Sequence, residues 1–194
     1  MRPAEEKLQK DAIAFAKANK KRIAREMTDP QRFASEQNPV SVFMAGSPGA
    51  GKTEASIELL EKFKGSPILR IDPDELRSKF EGYDGTNAYL FQSAVSILVE
   101  KIHDLALKQS QSFILDGTLS NYSKAKENIE RSLDKGRMVE ILYVYQDPIQ
   151  AWRFVLAREA AEGRRIMPEH FIDQYFAARD VVNRLKRKYE KSIH

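Results

Sequence analysis

The chain of 194 residues is 42% hydrophobic and 31% charged, as expected of a single soluble globular domain long enough to bury a sizeable core. It has no cysteine, which excludes disulfides and thiolate metal sites, and no apolar run near the roughly 20 residues of a membrane span. The formal charge of +4 suits a polyanionic partner, but the clusters Lys20-Lys21-Arg22 and Lys186-Arg187-Lys188 read as solvated helix faces rather than a nucleic-acid surface. The charged N-terminus is no signal peptide, so the expected location is the cytoplasm, away from membranes.

Residues 4–26 are rich in Ala, Lys, Glu and Gln, with Leu8, Ala12, Phe15, Ala16 and Ile23 at helical spacing. Thr28-Asp29-Pro30 ends that helix, and 28–39 is a polar connection, so residues 1–38 form an N-terminal helical extension. Val40 to Ala45 reads as a buried strand, and Glu54 to Phe63 as a helix. Gly65-Ser66-Pro67 breaks the chain before a short strand over 68–72 and a helical turn or two over 75–80. Gly82-Tyr83-Asp84-Gly85 is a loop, and Thr86 is the expected N-cap of a helix reaching about Gln109. A third strand spans 112–118, a helix 123–133 and a fourth strand 139–145. Pro148 opens a helix to about Ala161, Gly163-Arg164-Arg165 interrupts, and a last helix covers 168–191. The end at Ser192-Ile193-His194 falls where such a protein often begins another strand, as expected of a truncated or minimal form.

Between the first strand and its helix stands Gly46-Ser47-Pro48-Gly49-Ala50-Gly51-Lys52-Thr53, a Gly-x-x-x-x-Gly-Lys-Thr loop in the setting a phosphate cradle requires. Glycines let the backbone wrap an anion, and the helix start adds unpaired N–H groups and a positive dipole end. Lys52 reaches the β- and γ-phosphates and the Thr53 hydroxyl binds Mg²⁺. Strands alternating with helices then predict a P-loop NTPase-type three-layer α/β sandwich over 1–194, its mostly parallel sheet covered on both faces. Ligands bind such sheets at the carboxyl ends of the strands.

Three acids fall at that edge: Asp72 and Asp74 after the second strand, and Asp116 after the third. Asp116 follows an apolar strand, as a Mg²⁺-holding carboxylate does, although capping of the turn at Gly117 explains it too. Asp74 is either the base that takes a proton from an attacking hydroxyl or the N-cap of the short helix behind it, and spacing alone leaves both open. Arg158, Arg164 and Arg165 lie on a helix and the glycine break after it, where a mobile flap can bring cations over a transferring phosphoryl group; Arg153 reads as a surface residue.

The ordered set Gly46 to Thr53, Ile71-Asp72-Pro73-Asp74 and Ile114-Leu115-Asp116-Gly117-Thr118, with Gly163-Arg164-Arg165-Ile166-Met167-Pro168, resembles the zeta-toxin family of P-loop kinases. The resemblance implies ATP- and Mg²⁺-dependent phosphorylation of a sugar hydroxyl of UDP-N-acetylglucosamine, by a toxin that a small antitoxin restrains. It implies Lys52 on phosphate, Thr53 on Mg²⁺ and Asp74 as the base. Asp116 stands where better-known members have Glu, and with Thr118 and Glu100 it falls at substrate-contacting positions. Arg158 matches the first lid arginine, and either Arg165 or Arg164 the second. Where the family continues Gly-Thr-Gly-Arg, this chain has Gly117-Thr118-Leu119-Ser120, so the acceptor pocket departs from the pattern. Rival readings are a P-loop kinase for another acceptor (a nucleoside, an antibiotic or a nucleic-acid 5′-hydroxyl) and a nucleotide switch without transfer.

Overall fold

The computed structural model describes residues 2–63, 67–163 and 165–194. Four strands, β1 (Val40–Ala45), β2 (Leu69–Ile71), β3 (Phe113–Leu115) and β4 (Met138–Tyr143), form an all-parallel sheet in the order β2-β3-β1-β4. The helices are α1 (Pro3–Met27), α2 (Lys52–Lys62), α3 (Pro73–Arg77), α4 (Gln92–Lys108), α5 (Tyr122–Leu133), α6 (Pro148–Glu162) and α7 (Pro168–Tyr189).

The period of two along the strands divides the core. Register places Phe43 beside Leu115 and Ile71 beside Leu115, and these side chains join the main core with α4, α5 and α7. The alternate positions Val42, Ile114 and Met44 pack on the other face against Ala55, Leu59 and Leu60 of α2. Helices therefore cover both faces, giving the three-layer α/β arrangement of P-loop proteins. α1 lies along α4 and buries Ala12, Ala16, Ile23 and Ala24.

β1 has the bounds the sequence suggests, whereas β2 and β4 are trimmed and β3 keeps only three residues of the expected 112–118. Thr86 does not cap the long helix. Its hydroxyl donates to Asp84 Oδ1, and a 3-10 turn over Ala88–Phe91 precedes α4, whose first residue is Gln92. The expected break at Gly65-Ser66-Pro67 lies outside the described residues apart from Pro67. At the other end, His194 donates its N–H to Val139 and accepts from Ile141, so the last residue runs beside β4. Among the described residues, no helix is long and apolar enough to cross a membrane.

Candidate active site

The loop after β1 is pinched on two sides. A Cβ on Gly46 (φ +140°) would lie 2.4 Å from the Val144 carbonyl oxygen, and one on Gly49 (φ +71°) would lie 2.2 Å from that of Ala151 on α6. Only glycine fits either place. The Gly46 N–H donates to the Thr118 carbonyl at 3.2 Å, tying the loop to the exit of β3. Ser47 and Ala50 are buried within the turn, Pro48 and Gly49 lie between them, and Gly51 precedes the first turn of α2. Lys52 Nζ donates to the carbonyls of Gly46 (3.0 Å) and Ser47 (2.6 Å), which holds the ammonium inside the curve of the loop. The wrapped glycines, the enclosed cation and the start of an eleven-residue helix fit a chain of phosphates.

Beside the loop, parallel register sets the two buried acids at neighbouring strand ends. Arg70 is aligned with Ile114, and the ladder continues with the Asp116 N–H donating to the Ile71 carbonyl at 3.0 Å. Asp72 and Asp116 therefore follow on the same face as Arg70, the α2 face. Two carboxylates side by side repel, and Arg70 joins them: its Nη2 donates to Asp72 Oδ2 and to Asp116 Oδ2, each at 2.7 Å. Arg70 Nη1 reaches Glu75 at 2.5 Å and its Nε donates to Ser56 Oγ at 3.0 Å. The Ser56 hydroxyl has one proton, within reach of the Thr53 carbonyl (2.8 Å) and Asp116 Oδ2 (3.3 Å). Burial pulls the Arg70 guanidinium down, but the hydrogen bond to Asp116 and the nearby carboxylates outweigh this and hold its pKa above the ordinary value. Burial raises the Asp72 carboxyl, opposed by the Asp74 N–H and the Arg70 charge.

Asp72 is the residue that caps α3. Its Oδ1 accepts from the Asp74 N–H at 2.7 Å, and Pro73 takes the first helical position. Asp74, one third exposed, pairs instead with Arg77 one turn on, and Arg77 Nη2 donates to Gln92 Oε1 at 2.9 Å.

On the opposite side, Asp147 caps α6, which lays Ala151 and Val155 against Gly49. Arg158 is on the exposed side of this helix; Arg165 follows it, 3.6 Å from Glu159 and mostly exposed. Arg164 lies outside the described residues. A Cβ on Gly163, the residue closing α6, would stand 3.4 Å from Thr86 Cγ2, so the segment after α6 meets the loop after α3.

The sheet edge thus brings Lys52, Thr53, Asp74, Asp116 and Thr118 to one end of the molecule. Glu100 is on the half-exposed surface of α4, with Lys124 at 3.4 Å. The Thr118 hydroxyl pairs with Ser120 Oγ at 2.9 Å, and Leu119 holds a left-handed backbone (φ 52°) that a glycine would adopt without strain. Arg70, Ser56 and Arg77 belong to no motif of the sequence. The signal for Arg70 was a charged residue in the middle of an apolar strand, and for Arg77 a cation one helical turn after Asp74.

Thr53 and Asp116 offer a hydroxyl and a carboxylate, hard oxygen donors of the kind Mg²⁺ takes together with nucleotide phosphates. Among the described residues, no group of three or more His, Cys, Asp or Glu could hold a metal on its own. Such a sparse set suits an ion that arrives with a nucleotide and keeps several waters.

A phosphate-cradling loop between the first strand and its helix, on an all-parallel sheet with acids at the adjoining strand end, defines a P-loop protein. The chain belongs to the zeta toxin family, whose model matches residues 23–193. In fold it is similar to a protein of the PezAT chromosomal toxin-antitoxin system of Streptococcus pneumoniae (TM-score 0.71, 21% identity, covering 96% of this chain and 73% of that one). It is also similar to the AvrRxo1-ORF1:-ORF2 complex with ATP (0.60, 17%, covering 96% and 60%) and to the Pnkp1/Rnl/Hen1 RNA repair complex (0.60, 12%, covering 78% and 47%). No curated protein sequence matches the chain.

Proposed function

We propose that this chain is an ATP- and Mg²⁺-dependent kinase that transfers the γ-phosphoryl group to a small-molecule hydroxyl. The observation that carries the reading is the division of labour after β2: Asp72 takes the helix cap, so the Asp74 carboxylate is not spent on it and stands at the edge that carries the phosphate loop. Residues 46–53 hold the phosphates, with Lys52 placed for the β- and γ-oxygens and Thr53 with Asp116 placed to hold Mg²⁺. Bound Mg²⁺ would neutralise charge on the phosphate oxygens. Asp74 accepts the proton of the attacking hydroxyl, paired meanwhile with Arg77. Arg158 and Arg165 cover the transferring group from the α6 side, and Arg164, the alternative match to the second lid arginine, is assigned to the nucleotide on the family resemblance alone. Asp116 and Thr118 line the acceptor side, and Glu100 joins this set on the family resemblance alone.

The acceptor we propose is the sugar hydroxyl of UDP-N-acetylglucosamine, the chain acting in the cytoplasm as the toxin of a toxin-antitoxin pair. Family membership supports this, as do similar structures described as a toxin-antitoxin system and as a two-protein complex. Residues 1–38 are the N-terminal extension of one kinase domain. Mass spectrometry of UDP-N-acetylglucosamine incubated with the protein and Mg-ATP tests the acceptor, and the expected result is a gain of one phosphate. No gain there, with a gain on a nucleoside or a nucleic-acid 5′-hydroxyl, removes the acceptor and keeps the kinase. Hydrolysis of ATP with no acceptor modified removes both.

A further inference from the structure

Arg70 belongs to no nucleotide-binding motif, yet it is joined, directly or through one residue, to three residues of the proposed transfer site. Through Asp72 it reaches the backbone N–H of Asp74: one Asp72 oxygen accepts from Arg70 at 2.7 Å and the other from Asp74 N at 2.7 Å. It binds Asp116 directly at 2.7 Å. Through Ser56 it reaches the Thr53 carbonyl, with steps of 3.0 and 2.8 Å. We infer that Arg70 is a positioning residue, a clamp on β2 that sets the candidate base, the strand-end acid and the first turn of α2 in one fixed arrangement.

Charge and geometry both require such a residue. Asp72 and Asp116 are each buried, on the same face and at adjacent strand ends, so without a cation between them they repel and turn apart. A guanidinium offers five N–H donors in a rigid plane, and Arg70 spends four of them on four different partners: Nη2 on both acids, Nη1 on Glu75 and Nε on Ser56. A lysine could neutralise the two acids but could not also hold Ser56 along a fixed direction. Both side-chain hydrogen bonds of Asp116 among the described residues fall on Oδ2, so the clamp fixes the rotation of the carboxyl group and thereby the direction of its other oxygen. The side chain of Arg70 is only 11% exposed, which marks it as part of the wall of the site.

The inference rests on the kinase reading, but its first test does not need turnover. Nucleotide binding is measured by fluorescence titration with a labelled ATP analogue, in EDTA and in Mg²⁺, for the full chain and for Arg70→Gln, Arg70→Lys and Ser56→Ala. In EDTA every variant should bind as the wild type does, because the loop and Lys52 are untouched. In Mg²⁺ the tightening seen for wild type should shrink by roughly 10- to 100-fold in Arg70→Gln, the range typical of lost outer-sphere partners, with Lys intermediate. Where transfer is measured, Arg70→Gln should lower kcat by about 100-fold with little change in KM for ATP, the signature of misplaced groups. Equal Mg²⁺ response in all four proteins overturns the inference, as does a parallel loss of EDTA binding and thermal midpoint, which makes Arg70 merely structural. Should Arg70→Gln fail to fold, Lys and Ser56→Ala decide between the same outcomes. Failure of the wild type to modify any acceptor would end the kinase reading and leave the Mg²⁺ comparison intact.

Discussion

Asp72 caps α3 by accepting a hydrogen bond from the backbone N–H of Asp74 at 2.7 Å, so two acids two positions apart have separate duties. The consequence can be measured. Asp72→Ala removes the Arg70 pairing and the cap, and should lower stability by about 1 kcal/mol from the cap alone. Asp74→Ala should lower the thermal midpoint, because the buried Arg77 loses its ion-pair partner, but leave nucleotide affinity near wild type and reduce transfer by roughly 10²–10⁴-fold, the usual contribution of a general base. Wild-type turnover in Asp74→Ala would move the base elsewhere.

A second expectation concerns the fit between α6 and the phosphate loop. Gly49→Ala drives a Cβ to 2.2 Å from the Ala151 carbonyl at a backbone angle of +71°. Either α6 or the loop must give way, with backbone strain of about 1–3 kcal/mol and a loss of ATP affinity. Gly117→Ala is the internal control, since nothing lies within 4 Å of its added Cβ. Its thermal midpoint should barely move, and a binding titration on both variants separates loop geometry from a general intolerance of substitution.

The phosphate loop and the alternation of elements could be read directly because each depends on neighbours in sequence: a glycine spacing, an apolar period, a helix following a strand. The site's polar wiring depends on register between strands distant in sequence. Arg70 looks like an interruption of an apolar strand until β2 and β3 align, placing it one step before Asp72 and Asp116 on a common face. The sequence leaves Asp74 open between a base and a helix cap, and the backbone path through Pro73 gives the cap to Asp72 instead. Thr86 fails to cap for a local reason: its hydroxyl is engaged by Asp84, and the turn over Ala88–Phe91 delays the helix to Gln92.

The arginines of the α6 side give a third expectation. Arg158→Ala should reduce kcat by about 10³-fold if it meets the charge that develops on the transferring group, with a smaller effect on ATP affinity. Arg165→Ala should act in the same direction, its competing partner in the structure being Glu159 at 3.6 Å. Arg153, exposed on the same helix, is the comparison, and Arg153→Ala should leave kcat unchanged. If all three variants behave alike, the helix contributes general charge and no directed contact.

The last expectation is a pH dependence of stability seated far from the phosphate loop. His103 on α4 is 1% exposed, with its ring 4.9 Å from that of Phe113 and 6.2 Å from that of Phe43. Arg131 Nη1 lies 3.4 Å from Nδ1, so Nδ1 is the acceptor and the proton sits on Nε2, which has no hydrogen-bond partner among the described residues. Burial, then the charges of Arg131, Arg137 and Lys124, push its pKa down from 6.5 to about 3. The unfolded chain therefore binds a proton at this residue below pH 6.5 while the folded chain does not, so stability falls as pH drops from 6.5 toward 3. One pH unit below the unfolded value, the loss should be about 1 kcal/mol. Denaturant unfolding at pH 7.5 and 5.5 should show it in the wild type and much less of it in His103→Phe, which keeps an aromatic ring against Phe43 and Phe113 and removes the titrating group. Parallel losses in the two proteins would mean that His103 does not stay neutral in the folded core.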